Sequence, residues 1–133
     1  MIKNYDNKHF IVMKNRLIIR NLLLSMVPSR YGLIEYLDTH PKMNNINKIF
    51  IFIPRYMDPN VFENILISFK YNIPQKMMLK YTTKNCKLII TCPDKYKRDR
   101  LREALKDSII KNVHFEGGSI AFLLPNQPRY TYF

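Results

Sequence analysis

The first apolar stretch of the chain is HFIVMKNRLIIRNLLLSMV, residues 9–27, which basic and amide side chains interrupt at 14–16 and at 20–21. Leu17, Arg20 and Leu24 follow a helical period, and Pro28 would end the helix. A bilayer span needs about 20 mostly uncharged residues, so this stretch is not one. The pattern predicts an amphipathic N-terminal helix over 9–27 that packs on the core. A membrane-surface helix or a mitochondrial presequence is the alternative interpretation.

From residue 47 onward, strand-length runs alternate with helical ones. NKIFIFIP is an apolar run that predicts a strand stopped by Pro54, and GLIEYL, at 32–37, predicts a short helical turn before it. Asp58 and Pro59 form an N-cap and first helical position, and apolar residues then recur at fourfold spacing. We expect a helix over about 59–71.

The second half repeats the order of strand, proline and helix. QKMMLKYTT alternates, which predicts a strand, and Lys84 with Asn85 would turn the chain into the next strand, CKLIITC. Pro93 ends that strand, a helix is expected over about 94–111, and SIAFLLP, at 119–125, is the expected last strand.

These elements together predict an α+β fold in a single domain, residues 1–133. The core over 48–124 reads βαββαβ, the ferredoxin-like order, with an antiparallel sheet and two helices on one face, preceded by the N-terminal helix. A chain of 133 residues is long enough for one core but not for two.

Charge points to a polyanionic partner. Lysine and arginine number 22 against 10 acidic residues, a net charge of +12, while 47% of the residues are hydrophobic. This is the composition of a folded basic protein, for which nucleic acid is a commoner partner than an anionic membrane.

The abundance of Phe and Tyr and the scarcity of Gly indicate an A/T-rich genome, as in organelles, parasites, mollicutes or large DNA viruses. The opening MIKNYDNKHF lacks the apolar core of a secretory signal, so a reducing compartment is expected.

Catalytic chemistry has no support in the pattern. Cys86 and Cys92 lie six residues apart on one predicted strand, about 20 Å from each other, so they cannot share a metal or a disulfide and are expected in the core. His9, His40 and His114 are scattered. We therefore expect no enzyme, no metal, no cofactor and no small-molecule substrate.

Two basic surfaces remain. The helix DKYKRDRLREALKD pairs many of its charges with each other at i,i+3, although its surplus could meet phosphate. The sheet face turned away from the helices would present Lys76, Lys80 and Lys87, a cationic surface suited to RNA. Because CKLIITC lacks a stacking aromatic pair, structured RNA held by backbone and shape is favoured. The alternative is that the N-terminal helix or a partner protein covers this face.

Several short motifs, in order, resemble one family. Lys48–Phe50 is similar to its lysine-isoleucine-valine strand, Pro74–Lys76 to its glycine-glutamine-lysine turn, Cys86–Leu88 to its cysteine-lysine-valine strand, and Phe115–Gly117 to its phenylalanine-arginine-glycine turn. The family is the universal large-subunit ribosomal protein number five, which carries 5S ribosomal RNA in the central protuberance. Its basic loop that approaches transfer RNA is reduced here to about 83–85, and the C-terminal part is shorter.

The resemblance implies a mitochondrial large-subunit ribosomal protein, encoded by the organelle, that binds 5S or another ribosomal RNA segment at the central protuberance. Its partners would be neighbouring ribosomal proteins, with an intersubunit bridge as a further option, and no integral membrane segment is expected. The expected RNA-binding residues are Lys48, Arg55, Gln75, Lys76, Lys80, Lys84 and Lys87. The alternatives are another ribosomal protein of the same shape, and a non-catalytic interaction or membrane-surface subunit of an organellar or viral assembly.

Overall fold

A computed structural model describes residues 5–27, 32–41 and 45–117. The strands are β1 Tyr5–Asp6, β2 Phe10–Met13, β3 Arg16–Ile19, β4 Ile46–Phe52, β5 Thr82–Thr91 and β6 Asn112–Glu116. The helices are α1 Leu22–Ser25, α2 Leu33–Thr39, α3 Pro59–Lys70, α4 Ile73–Met78 and α5 Lys95–Leu105, and a 3₁₀ turn spans Leu79–Tyr81.

The strands form one mixed sheet in chain order, β1 to β6. Strands β1, β2 and β3 are antiparallel neighbours, whereas β3, β4, β5 and β6 run parallel. The α+β class is confirmed, but the antiparallel ferredoxin-like arrangement is not. Helical segments connect successive parallel strands and return the chain to the end where the next strand begins. An antiparallel pair would instead be joined by a short hairpin turn.

The predicted helix over 9–27 is wrong. The segment forms the β2–β3 hairpin and then the single turn α1, with Lys14 in the hairpin turn at φ 53°. Phe10 and Leu17 lie on one face of the hairpin and Ile11 and Ile18 on the other, and all four side chains are buried. Because both faces of the hairpin are apolar, its sequence lacks the alternation of apolar and polar residues that marks a half-exposed strand. The same sequence fits a helix that is apolar on most sides.

The strand predicted over QKMMLKYTT is also wrong. Asn72, at φ 56°, breaks the chain after α3, and Pro74 then lies in the first turn of α4. No hairpin turn forms at Lys84 and Asn85, because β5 runs without interruption through them. Its register against β4 shifts between the pairs Ile46–Thr82 and Lys48–Lys87, so Lys84 and Asn85 lie in a bulge of a single strand.

Four predictions from local sequence are confirmed. Strand β4 covers most of NKIFIFIP, and α2 begins within the predicted turn GLIEYL. Helix α3 begins after Asp58, whose Oδ1 accepts hydrogen bonds from the backbone N–H of Asn60 at 2.8 Å and of Val61 at 3.3 Å. Asp94 caps α5 through the N–H of Tyr96 at 2.9 Å. Helix α5 ends at Leu105, earlier than the expected 111, and the expected strand at 119–125 lies outside the described residues.

The main core lies between the helices and one face of the sheet. Side chains from all five helices join alternate residues of the central strands, among them Ile49, Ile51, Leu88 and Ile90. Cys86 and Cys92 belong to this core as free thiols, as predicted. Burial raises the pKa of the Cys86 thiol to about 11, and that of Cys92 is raised for the same reason.

The opposite face of the sheet carries a smaller buried cluster, which contains no helical residue. Its members are Ile11, Ile18, Phe50, Phe52 and Ile89. They alternate along the strands with residues of the main core, so the side-chain direction of every position on β3, β4 and β5 is fixed. This alternation places Lys48 and Lys87 on the face that the helices do not cover.

Candidate nucleic-acid interface

Three basic residues are register partners on three adjacent parallel strands. Arg16 of β3 pairs with Lys48 of β4, and Lys48 pairs with Lys87 of β5. The next residue along each strand, Leu17, Ile49 or Leu88, is fully buried beneath the helices, so the three cations share the other face. We call Arg16, Lys48 and Lys87 the cationic row. Neighbouring strands lie about 4.8 Å apart, so the row spans about 10 Å of backbone.

In the part of the chain that the structure describes, no acidic side chain pairs with a member of the cationic row. None of the ion pairs found within residues 5–27, 32–41 and 45–117 includes any of its three members. Arg16 is exposed, and Lys48 and Lys87 are half-buried, so the two lysines are partly removed from the water that would screen them. Like charges directly opposite each other in a sheet are destabilising. Three in succession favour an anionic ligand over a purely structural role.

More cations lie at the same end of the sheet, where the parallel strands begin. Lys14 is in the β2–β3 turn, Lys84 is in the bulge of β5, and Lys111 directly precedes β6; all three are exposed. Asn112 of β6 pairs with Lys87 and adds an exposed amide to the row. Phosphate oxygens accept hydrogen bonds from such ammonium, guanidinium and amide groups.

The structure brings together three of the residues expected to bind RNA and separates the others. Lys48, Lys84 and Lys87 lie on or beside the cationic row. Lys76 is exposed on α4, in the helical layer. Arg55 is exposed after the carboxyl end of β4, the opposite end of the sheet, where its carbonyl accepts a 2.9 Å hydrogen bond from Lys97 Nζ.

Gln75 is fully buried and contributes to the core. Its Nε2 donates to the carbonyl of Phe69 at 3.0 Å and lies 3.3 Å from Ser108 Oγ. These bonds join the end of α3, the start of α4 and the segment after α5. Gln75 therefore has no exposed surface of its own in this structure.

Lys80 is exposed but already has an anionic partner. Its Nζ lies 3.2 Å from Asp38 Oδ1, and the Tyr81 hydroxyl donates a hydrogen bond to the same carboxylate. The bond from Tyr81 and the one from Lys80 together hold the pKa of Asp38 below its ordinary value. The ion pair of Asp38 with Lys80 joins α2 to the turn before β5, so Lys80 has a structural role.

The charged helix α5 is largely self-paired, as predicted. Asp99 accepts from Lys95 and from Arg102 at 3.0 Å each, and Glu103 accepts from Lys106 at 2.7 Å. Arg100 reaches across to Glu63 of α3 at 3.1 Å. These exposed pairs neutralise much of the charge of α5. Unpaired positive charge is therefore more concentrated at the end of the sheet where the parallel strands begin.

The sequence did not reveal two features near this end of the sheet. One is Arg16, which had been assigned to a helix. The other is a column of three rings: the centroids of Tyr5 and Tyr36 are 4.0 Å apart, and those of Tyr36 and His40 are 4.1 Å apart. We call Tyr5, Tyr36 and His40 the aromatic stack. The available signal was the i,i+4 spacing of Tyr36 and His40, which lie on one side of a helix if the turn predicted at 32–37 continues to residue 40.

The described parts of the chain contain no group of three or more His, Cys, Asp or Glu side chains arranged to hold a metal ion. In those same parts, every helix is too short or too polar to cross a bilayer. No protein-family model, no curated protein and no solved structure matches this chain.

Proposed function

We propose that the protein is a non-catalytic, RNA-binding component of a ribonucleoprotein, and that the particle is the large subunit of a mitochondrial ribosome. In this proposal the cationic row holds the phosphate backbone of a ribosomal RNA segment. The helical layer contacts neighbouring ribosomal proteins.

One observation carries the RNA-binding proposal: Arg16, Lys48 and Lys87 are aligned in register, on one face, with no acidic partner among the described residues. A fold gains nothing from such a row, because each lysine repels its neighbour. A polyanion would convert that repulsion into attraction and release condensed counterions. The net charge of +12 supports the same class of partner.

The choice of ribosome rests on the sequence resemblance and on the A/T-rich residue usage. Lys48 and Cys86–Leu88, which carry part of that resemblance, lie on the two central strands β4 and β5. The parallel order of these strands differs from the arrangement expected from the element order.

Sedimentation tests the proposal directly. An epitope-tagged copy is expressed in its source cells, and extracts are run on a sucrose gradient before and after ribonuclease treatment. We expect the protein to travel with large-subunit particles and to move to the top of the gradient once the RNA is digested. A protein that remains at the top in untreated extracts contradicts the proposal.

A second candidate function is that of a protein-interaction subunit without RNA. It is favoured by an apolar groove of about 280 Å³ between α1, α3 and α4, lined by Leu23, Met26, Val27, Ile73 and Met77 among others. Val27 and Ile73 are 43% and 49% exposed, so apolar surface is available there. This function predicts a stable complex that survives both ribonuclease and high salt.

A further inference from the structure

We infer that the outer face of His40 is a stacking site for an unpaired nucleobase of the bound RNA. This inference rests on the proposed function and names the part of the RNA that the protein would recognise beyond its phosphates. The site is the solvent-facing end of the aromatic stack of Tyr5, Tyr36 and His40.

The geometry of the stack suits a further ring. The planes of Tyr5 and Tyr36 are inclined by 25°, and those of Tyr36 and His40 by 20°, so the three rings lie nearly parallel at distances of 4.0 and 4.1 Å. Tyr5 also contacts Phe10 in the main core at 5.5 Å, which anchors the inner end of the column. His40 is exposed and forms the outer end. A base placed on it would continue the column.

The His40 ring is held in place before any ligand arrives. Its Nδ1 lies 2.8 Å from the carbonyl oxygen of Tyr36 and therefore donates to it, while Thr39 Oγ1 lies 3.0 Å from the same nitrogen. Nε2 remains as the second hydrogen-bonding atom of the ring. A ring fixed in this way loses little conformational freedom when a base stacks on it, which favours binding.

The stack and the cationic row lie at the same end of the sheet. Asp38, near the end of α2, lies 3.2 Å from Lys80, just before β5, so α2 ends where the parallel strands begin. The stack packs there on the helical face of the sheet, and the cationic row occupies the other face. His40 is six residues before Ile46 and at most about 20 Å from it along an extended chain. The backbone N–H of Asn47 donates to the carbonyl of Asn15 in the β2–β3 turn at 2.9 Å, which places the start of β4 beside Arg16. An RNA strand that leaves the row at Arg16 and rounds this end of the sheet can present a base to His40.

The chemistry favours a nucleobase over other flat groups. Aromatic and histidine rings are the usual platforms for bases of single-stranded RNA, and every base has a face that can stack. The neighbouring carboxylate of Asp38 is engaged by Lys80 and Tyr81, and Glu35, on the same helix, is exposed. Because these carboxylates would repel a phosphate, we expect phosphates on the cationic row and a base at His40.

The experiment uses the full chain and a uridine-rich RNA oligonucleotide with one 2-aminopurine, whose fluorescence is quenched when it stacks. The position of 2-aminopurine is varied along the oligonucleotide, and affinity is measured separately by anisotropy. For the unaltered protein we expect quenching at one position. His40→Ala should abolish that quenching and weaken affinity about fivefold or more, whereas His40→Phe should restore both. Tyr56→Ala is the control, because Tyr56 is an exposed ring after β4, at the opposite end of the sheet, and belongs to neither the stack nor the cationic row.

Each outcome separates the inference from the proposed function. Binding of RNA with the same quenching in His40→Ala as in the unaltered protein would overturn the inference and leave the cationic row standing. Loss of co-sedimentation with ribosomal particles in His40→Ala, with RNA affinity and quenching unchanged, would assign the site to a protein partner and also overturn it. Failure of the unaltered protein to bind both this oligonucleotide and a structured RNA at low salt would overturn the inference and the RNA-binding proposal together. Circular dichroism of each variant checks that it is folded.

Discussion

Lys48 and Lys87 are direct register partners on neighbouring parallel strands and share one face, and neither forms an ion pair within residues 5–27, 32–41 and 45–117. Each is followed along its strand by a fully buried residue, Ile49 or Leu88, so neither lysine can move to the other face of the sheet without disturbing the core. Arg16 extends the same row on β3. The fold therefore holds positive charges together against their mutual repulsion.

The first prediction is that one of these lysines opposes stability. Lys87→Gln should raise the free energy of unfolding by about 0.2–1 kcal/mol at low salt, because it relieves the repulsion from Lys48. The gain should shrink as salt is added. Urea denaturation at two ionic strengths measures the effect. Lys95→Gln is the control, since Lys95 pairs with Asp99 at 3.0 Å, and it should show no gain. A loss of stability in Lys87→Gln that salt does not change would contradict the repulsion.

The second prediction concerns Gln75, which the sequence had suggested as an RNA contact. Gln75→Ala should lower the free energy of unfolding by about 1–3 kcal/mol, because it leaves Ser108 without its amide partner and opens space in the core. RNA affinity of the folded variant should be unchanged. Urea denaturation and anisotropy measure the two quantities. The control is Lys76→Ala, because Lys76 is the next residue along the chain and is exposed. It should change the free energy of unfolding by less than about 0.5 kcal/mol. Weakened RNA binding by folded Gln75→Ala would contradict this assignment.

The third prediction concerns pH. Because the pKa of Asp38 is held below its ordinary value of 3.8, its contribution to stability is present above about pH 4 and is lost as the pH falls through the lowered pKa. Asp38→Asn should therefore be less stable than the unaltered protein at pH 7. The difference should shrink as the pH falls through the lowered pKa of Asp38, because the protonated aspartic acid is neutral, as asparagine is. Denaturant midpoints across this range provide the test, and a difference that persists at the lowest pH would be contrary to it.

The fourth prediction concerns the two thiols. Cys86 and Cys92 are buried, and burial raises the pKa of Cys86 to about 11, so almost no thiolate is present at pH 8. A disulfide reagent added to the folded protein should react slowly. In urea, both thiols should react at once. Rapid reaction of one thiol in the folded protein would show that the core assignment of that cysteine is wrong.

Local chemistry was readable from the sequence where a single residue type decides the structure. Asp58 and Asp94 mark the starts of their helices because their short carboxylates reach backbone N–H groups. The alternation of Cys86, Leu88 and Ile90 with Lys87 and Ile89 assigned the two faces of β5 correctly. Burial of the cysteines followed from the same alternation.

Strand order was not readable, because it depends on contacts distant in sequence. The run at 9–27 is apolar on both faces of a hairpin, and its two-residue turn contains Lys14 and Asn15 instead of a glycine. The continuous apolar runs of β4 and β5 are typical of parallel strands covered on both faces, a signal that the antiparallel prediction overlooked. The cationic row could not be predicted, since Arg16 was placed on a helix and the register between β3 and β4 sets the row.

The salt dependence of RNA affinity tests the central claim most directly. The unaltered protein, the double variant Lys48→Gln/Lys87→Gln and the control Lys95→Gln/Lys106→Gln are titrated with one structured RNA over a range of salt concentrations. We predict that the double variant binds several-fold more weakly at low salt, and that the slope of log affinity against log salt falls by about one for each lysine removed. The control should match the unaltered protein, because both of its lysines are engaged by acidic residues of α5. Equal slopes for the unaltered protein and the double variant would contradict the claim that the row binds phosphate.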